Sequence, residues 1–367
     1  MMEPRTLMLA TGKAVYPIGE GGGEIVGHDL LEGLSGEGMQ CEGFGLVDLA
    51  ELPRLNRLLR GLEKDLRITS RESTLLNHSG ELIRYPQEVV CQYALAYEVH
   101  MALGDTFTRS LSRRIRSFRP DAVIIQGERC AQIRDVVVKK GVFPILYVHN
   151  GFELQSFSRP RELPLVLANS QYIQNKIHRE QQVDCELLYP AINLDNYDVA
   201  SNSHRYITMM NPVIPKGIRT FLEVAARLRD REFLVVEGWG TSRDVFDLIK
   251  KFPNVTYLSR QSDMRRVYGQ THILLVPSQW EEAFGRVIIE AQVSGIPVVA
   301  SHRGGIPEAL GDGGILVDDF SNPEAWIRSI EEAEDRYDDY AIRAKENVTR
   351  FGVKTAVDTF LGILKRY

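Results

Sequence analysis

The chain alternates short apolar runs with segments of helical spacing, and that alternation constrains its fold more than any other feature. In the second half the apolar runs fall at 206–209, 232–237, 255–258, 273–277 and 297–300. Between them lie helical patterns at 218–228, 242–250, 264–270 and 285–294. Strand and helix in strict turn imply a parallel sheet with helices on its faces, whose strands are buried on both sides and read as unbroken apolar runs. The first half follows the same plan, with strands expected at 7–10, 122–126, 144–149 and 164–168. Helices are expected there at 23–34 and 170–179, with a long one from about 87 to 118. The polar, proline-broken run Leu188-Tyr-Pro-Ala-Ile-Asn-Leu-Asp-Asn-Tyr197 separates the two halves. A length of 367 residues suits two domains, each with its own core. The expectation is α/β, with Rossmann-like domains at 1–190 and 191–352.

Composition removes several classes of function. The formal net charge of −5 gives no overall basic field, so no nucleic-acid partner is expected. Cys41, Cys91, Cys130 and Cys185 are scattered without metal or redox spacing and read as reduced thiols. No secretory leader pattern opens the sequence, and no apolar run approaches the ~20 residues that span a bilayer. A cytoplasmic location is the expectation. No Asp-x-Asp and no His/Cys cluster occurs, so neither metal nor cofactor is expected.

The most specific segment is Glu282-Ala-Phe-Gly-Arg-Val-Ile-Ile-Glu290, which follows the strand pattern Ile273-Leu-Leu-Val-Pro-Ser278. It reads as strand, loop and helix, with one acid in the loop and one in the helix. Loops at the carboxyl ends of parallel strands are where α/β proteins bind ligands. The helix N-terminus there offers unpaired N–H groups to an anion. Two acids beside such a site suit the hydroxyls of a sugar attached to a phosphate. The alternatives are a solvated loop acid at Glu282 and a surface helix residue at Glu290. Against these, Glu290 lies among Val287, Ile288, Ile289 and Val293, where an unpaired charge is costly.

Glu282-x-Phe-Gly-x-x-x-x-Glu290, then Ala-Gln-Val-Ser-Gly-Ile-Pro-Val-Val-Ala-Ser and Gly304-Gly-Ile-Pro-Glu308, resembles the donor-binding signature of glycosyltransferase family 4. The likeness is strongest over 206–320. It implies a GT-B fold, with two Rossmann-like parallel-sheet domains facing across a cleft and the last helix, 353–367, packing back on the first. It also implies a retaining transferase that takes a hexose-type sugar from a UDP- or GDP-type donor. The acceptor hydroxyl would belong to a glycan, a lipid-linked molecule or a small molecule. Glu282 would hold the donor sugar, near the N–H groups of Phe284, Gly285 and Arg286, and Glu290 would accept from the nucleotide ribose.

Other positions take roles from the same resemblance. In Asn211-Pro-Val-Ile-Pro-Lys216-Gly217, Lys216 matches a lysine that contacts the donor diphosphate; by itself it reads as a surface lysine beside a turn. The arginine usual five or six residues earlier is replaced by Met210 or Asn211, with Arg286 and Arg303 as candidates to substitute. The run Gly19-Glu-Gly-Gly-Gly23 matches a loop that closes over the donor, which assigns Gly21 and Gly22 to donor binding; a flexible loop would look the same. His149, in Val-His-Asn-Gly151, matches a histidine near the transferring sugar or is a structural strand-end residue. Gly238 in Glu237-Gly-Trp-Gly240 would let the nucleotide approach, and Arg260 falls where the base edge is read.

Two basic stretches remain: Arg54, Arg57, Arg60, Lys64 and Arg67, and Arg109, Arg113, Arg114, Arg116 and Arg119. With leucines interleaved, the first fits an amphipathic helix packed on its own domain. It also fits peripheral association with an anionic inner membrane face, where lipid-linked acceptors sit. Two rival functions stay open: a nucleotide-sugar epimerase of the same fold, and a non-catalytic subunit that binds nucleotide.

Overall fold

The computed structural model describes residues 4–19, 21–76, 82–150, 152–155, 157, 163–238 and 240–367. Glu20, Gly151 and Trp239, which belong to motifs named above, lie outside these residues. The chain divides into two compact units. The first comprises residues 1–169, 173–191 and 356–367; the second comprises 170–172 and 192–355.

The first unit holds strands β1 (Thr6–Thr11), β2 (Gln40–Val47), β3 (Arg67–Leu76), β4 (Leu82–Ala94) and β5 (Glu98–Leu103). It continues with β6 (Ala122–Gln126), β7 (Phe143–Val148), β8 (Leu165–Ala168) and β9 (Glu186–Leu187). They form one sheet in the order β3-β4-β5-β2-β1-β6-β7-β8-β9. The pairs β3–β4 and β4–β5 are antiparallel and the others parallel. Its helices are α1 (Gly22–Gly36), α2 (Leu52–Gly61), α3 (Phe107–Phe118), α4 (Cys130–Lys139), α5 (Phe152–Gln155) and most of α6 (Gln171–Gln181). Strands β1, β6 and β7 are almost wholly buried, as the apolar runs require.

The long helix expected from 87 to 118 does not form. That stretch contains most of β4, all of β5 and then α3. The reason is its period: Val89, Cys91 and Tyr93 are buried while Gln92 is only half-buried. Alternation by two makes a strand, and helical spacing begins only at Phe107, with Phe107, Leu111 and Ile115 buried. The basic stretches fall largely on helices. In α2, Leu55 and Leu59 are buried. In α3, Arg114 Nε donates to the buried carboxylate of Glu42 at 2.7 Å, and Arg113 pairs with Glu88. No described helix is long and apolar enough to cross a membrane. All four cysteines are free.

His100 on β5 is buried, and its Nε2 has no hydrogen-bond partner among the described residues. Burial, with the Arg114 guanidinium adding to it, pushes its pKa down to about 4. The unfolded chain binds a proton near pH 6.5 while the folded one does not. Stability from this residue is therefore complete above pH 6.5 and falls as pH drops toward 4. The expected loss is about 2 kcal/mol by pH 5. Urea unfolding at pH 7.5 and pH 5 checks it: wild type should lose more than His100→Gln by that amount.

The second unit holds β10 (Tyr206–Met210), β11 (Glu232–Val236), β12 (Val255–Leu258), β13 (Thr271–Val276), β14 (Val298–Ser301) and β15 (Gly314–Val317). All neighbours pair in parallel, in the order β12-β11-β10-β13-β14-β15. The helices are α7 (Ile218–Arg227), α8 (Arg243–Ile249), α9 (Arg265–Tyr268), α10 (Arg286–Val293), α11 (Ile306–Leu310), α12 (Pro323–Asp335) and α13 (Tyr337–Val348). The core on one face joins Phe221, Phe233, Ile273, Leu275 and Trp326. The closing helix α14 (Val353–Leu364) straddles the division, with residues from 356 onward in the first unit. There Arg366 Nη2 donates to Glu186 Oε2 at 2.7 Å.

The strand order reverses between β10 and β13, the position where parallel sheets open a crevice at their carboxyl ends. The loop after β10 carries Lys216, and the loop after β13 carries Glu282. Topology therefore brings together two residues 66 positions apart.

Candidate active site

Lys216 ends a 3-10 turn, Ile214–Lys216, and is followed by Gly217 at φ 86°. A Cβ on Gly217 would stand 1.8 Å from the Pro277 carbonyl oxygen, so only glycine lets the two loops approach this closely. Gln279 N–H donates to the Pro215 carbonyl at 2.8 Å and joins them. Across this junction Lys216 Nζ donates to Glu282 Oε1 at 2.5 Å. Ser278 Oγ donates to the same oxygen at 2.6 Å. Glu282 Oε2 has no hydrogen-bond partner among the described residues. The lysine nitrogen also lies 5.0 Å from the centre of the Trp280 ring, which is 41% exposed. Glu282 is buried, so it is not a solvated loop acid, and Gly305 N–H donates to its carbonyl at 2.7 Å.

Glu290 sits on α10, which begins after Gly285 at φ 108°. It is 6% exposed and therefore not a surface helix residue. Its Oε1 accepts from Arg286 Nε at 2.8 Å, and its Oε2 accepts from Tyr268 Oη at 2.9 Å. Arg286 Nη2 donates to Tyr197 Oη at 3.0 Å. The charge inside the apolar stretch is thus paired, as burial demands. The Phe284 side chain is core: its ring meets Phe351 edge-on at 5.2 Å. What Phe284, Gly285 and Arg286 present is backbone at the start of a helix, where N–H groups lack intrahelical partners.

Arg286 and Arg303 differ in their engagement. Arg286 is held on Glu290 and Tyr197. Arg303 stacks over Phe320 at 5.2 Å, and its buried Nε has no hydrogen-bond partner among the described residues. Asn211, at φ 57° after β10, also has an unpartnered buried Oδ1. Its side chain lies against Gly238, where a Cβ would stand 2.7 Å away. Arg260 N–H donates to Glu237 Oε2 at 3.2 Å, joining the loops after β12 and β11.

In the first unit, α1 begins at Gly22 with Gly21 at its N-cap. His149 follows β7, and its Nε2 lies 2.9 Å from Gln126 Oε1. Gln126 Nε2 in turn donates to the Gly23 carbonyl at 3.1 Å. This bond requires His149 to carry its proton on Nε2. Burial pushes its pKa down to about 4, so the imidazole is neutral at pH 7. Glu153 Oε1 accepts from the His149 N–H at 3.2 Å. The Gly-rich loop and the histidine, 126 residues apart, are joined through one glutamine.

Sequence reasoning missed Ser278, Trp280, Tyr268, Tyr197 and Gln126. Ser278 and Trp280 flank the acid motif and were open to notice. Tyr268 reaches Glu290 from 22 positions away and Tyr197 meets Arg286 from 89 positions away, and nothing local marks them.

Residues 205–335 match the family model described as Glycosyl transferases group 1. The D-inositol 3-phosphate glycosyltransferase of Mycolicibacterium smegmatis is 28% identical over 215 residues, 52% of this chain and 49% of that protein. Spore coat protein SA of Bacillus subtilis is 29% identical over 123 residues, 31% of this chain and 32% of that protein. The chain thus spans about half or less of the length of these curated relatives. Among solved structures, Anabaena HepE in complex with UDP and glucose superposes with a TM-score of 0.73 at 16% identity, covering 100% of both chains. The pneumococcal O-GlcNAc transferase GtfA, in complex with UDP and GlcNAc, gives 0.68 at 10%, covering 99% of each. The chain therefore has the GT-B fold, and residues 205–335 of its second unit resemble the Glycosyl transferases group 1 family.

Proposed function

We propose that the chain is a retaining glycosyltransferase that moves a hexose-type sugar from a nucleoside diphosphate to an acceptor hydroxyl. The observation that carries this reading is the placement of the two motif acids. Glu282 and Glu290 are both buried and both paired with a cation, and Glu282 meets Lys216 at the switch point of a parallel sheet. Glu282 Oε2 is available to a hydroxyl of the donor sugar. Glu290 accepts from the ribose. Lys216 stabilises charge that grows on the leaving diphosphate, where preorganised electrostatics lower the barrier most. With Lys216 and the α10 backbone meeting that charge, transfer proceeds without an added divalent ion. The leaving phosphate oxygen takes the acceptor's proton in a front-face attack. Relatives whose names or titles specify UDP, glucose or inositol 3-phosphate favour a UDP-type donor and a polar acceptor held by the first unit.

A non-catalytic subunit is the second reading, favoured by Met210 and Asn211 at the position of the usual phosphate-binding arginine. The test is consumption of UDP- and GDP-hexoses with and without a panel of hydroxyl acceptors. Transfer that requires an acceptor and retains anomeric configuration is expected. Epimerised donor without acceptor, or tight nucleotide binding with no turnover, would refute the transferase reading.

A further inference from the structure

The hydrogen bonds around the two acids differ in a way that bears on the nucleotide. Both donors to Glu282 converge on Oε1. The donors to Glu290 are divided, Arg286 Nε on Oε1 and Tyr268 Oη on Oε2. A carboxylate offers about four lone-pair sites, two on each oxygen. Glu290 is left with one on each oxygen, both fixed in direction, an arrangement that suits two neighbouring hydroxyls rather than one. Tyr268 is fully buried, and its ring meets Tyr197 edge-on at 6.1 Å. Burial and the facing Glu290 carboxylate push its phenol well above the usual range, so it remains a donor. Arg286 is held in turn by Tyr197, whose carbonyl accepts from Ser294 Oγ at 2.7 Å. A buried ion pair adds little net stability once desolvation is counted. Its clearer consequence is the fixed orientation of the carboxylate.

Resting on the reading of Glu290 as a ribose ligand, we infer that Tyr268 and Arg286, with Tyr197 behind Arg286, are positioning residues that aim the Glu290 carboxylate at a vicinal diol. The site then selects ribonucleotide donors over 2′-deoxyribonucleotide donors.

The experiment is calorimetric titration of the full chain with UDP and 2′-deoxy-UDP, and with GDP and 2′-deoxy-GDP, without metal. Wild type should prefer one ribonucleotide over its 2′-deoxy form by about tenfold or more, from one lost charge-assisted hydrogen bond. In Tyr268→Phe, which removes one oxygen from a buried ring, the preference should fall to about threefold or less. Tyr197→Phe, two bonds removed from the carboxylate, should lower it by a smaller factor and covers the case in which Tyr268→Phe fails to fold. A preference unchanged in both variants, or affinity lost equally for the ribo and 2′-deoxy forms, would overturn the positioning role alone. A wild type that binds nucleotide with no such preference, or binds none, would overturn the ribose assignment and this inference with it.

Discussion

Replacing Glu282 with glutamine is expected to lower the rate of sugar transfer by about a hundredfold to a thousandfold, the range seen when one preorganised polar group is removed. Nucleotide affinity should change by about threefold or less. Glutamine keeps the volume and removes the charge. Lys216 Nζ and Ser278 Oγ then face a neutral amide instead of the carboxylate oxygen they share at 2.5 and 2.6 Å. Oε2, the oxygen assigned to the donor sugar, becomes a weaker acceptor or a donor, depending on the amide's orientation. The bare nucleoside diphosphate makes no contact with Glu282 in this account, so its binding reports only whether the site stays folded. Steady-state transfer beside UDP titration separates the roles. Equal losses in both would mean that Glu282 holds the two loops together and does not act on the sugar.

Lys216→Ala should be as severe in turnover and should also weaken nucleoside diphosphate binding, by about 10- to 100-fold. A charge-assisted bond to phosphate contributes about 1.5–3 kcal/mol, against about 0.3–2 kcal/mol from a helix terminus. The lysine, not the start of α10, should therefore dominate diphosphate binding. The loss should be confined to the diphosphate, leaving monophosphate binding within about threefold. Lys216→Arg should not restore turnover, because a planar guanidinium does not reproduce a compact ammonium between Glu282 Oε1 and the Trp280 ring. Titrations of UDP and UMP against both variants check this. A loss shared equally by UDP and UMP would move Lys216 away from the diphosphate.

The legible parts of the molecule were those written locally. Glu282, Phe284, Gly285 and Glu290 lie within nine consecutive positions that span loop and helix, so one segment fixes their relative placement. The six strands of the second unit are mostly apolar, and five of them could be read directly. The first unit was harder to read. Strand β2 contains Gly43 and Gly45, which look like breakers in sequence. A Cβ on Gly45 would stand 2.5 Å from a Val15 methyl, so the glycine makes room for the loop after β1. The stretch from 87 to 118 mixes a period of two with a period of 3.6, and the second pattern concealed the first. In the candidate site, the pairings that set each side chain's state were not legible. Ser278 on Glu282, Tyr268 on Glu290 and Gln126 on His149 depend on which strands become neighbours, and topology decides that.

The central claim is that the second unit holds a nucleoside diphosphate between Lys216, the start of α10 and Glu290. Thermal unfolding of the purified chain with UDP, GDP, ADP and TDP, without metal, tests it most directly. A single bound nucleotide raises stability by RT ln(1 + [L]/Kd), about 2.7 kcal/mol at a hundredfold excess over Kd. The account predicts clear stabilisation by one ribonucleoside diphosphate, reduced about 10- to 100-fold in apparent affinity by Glu290→Ala. Stabilisation by none of the four, or stabilisation that Glu290→Ala leaves unchanged, would contradict it.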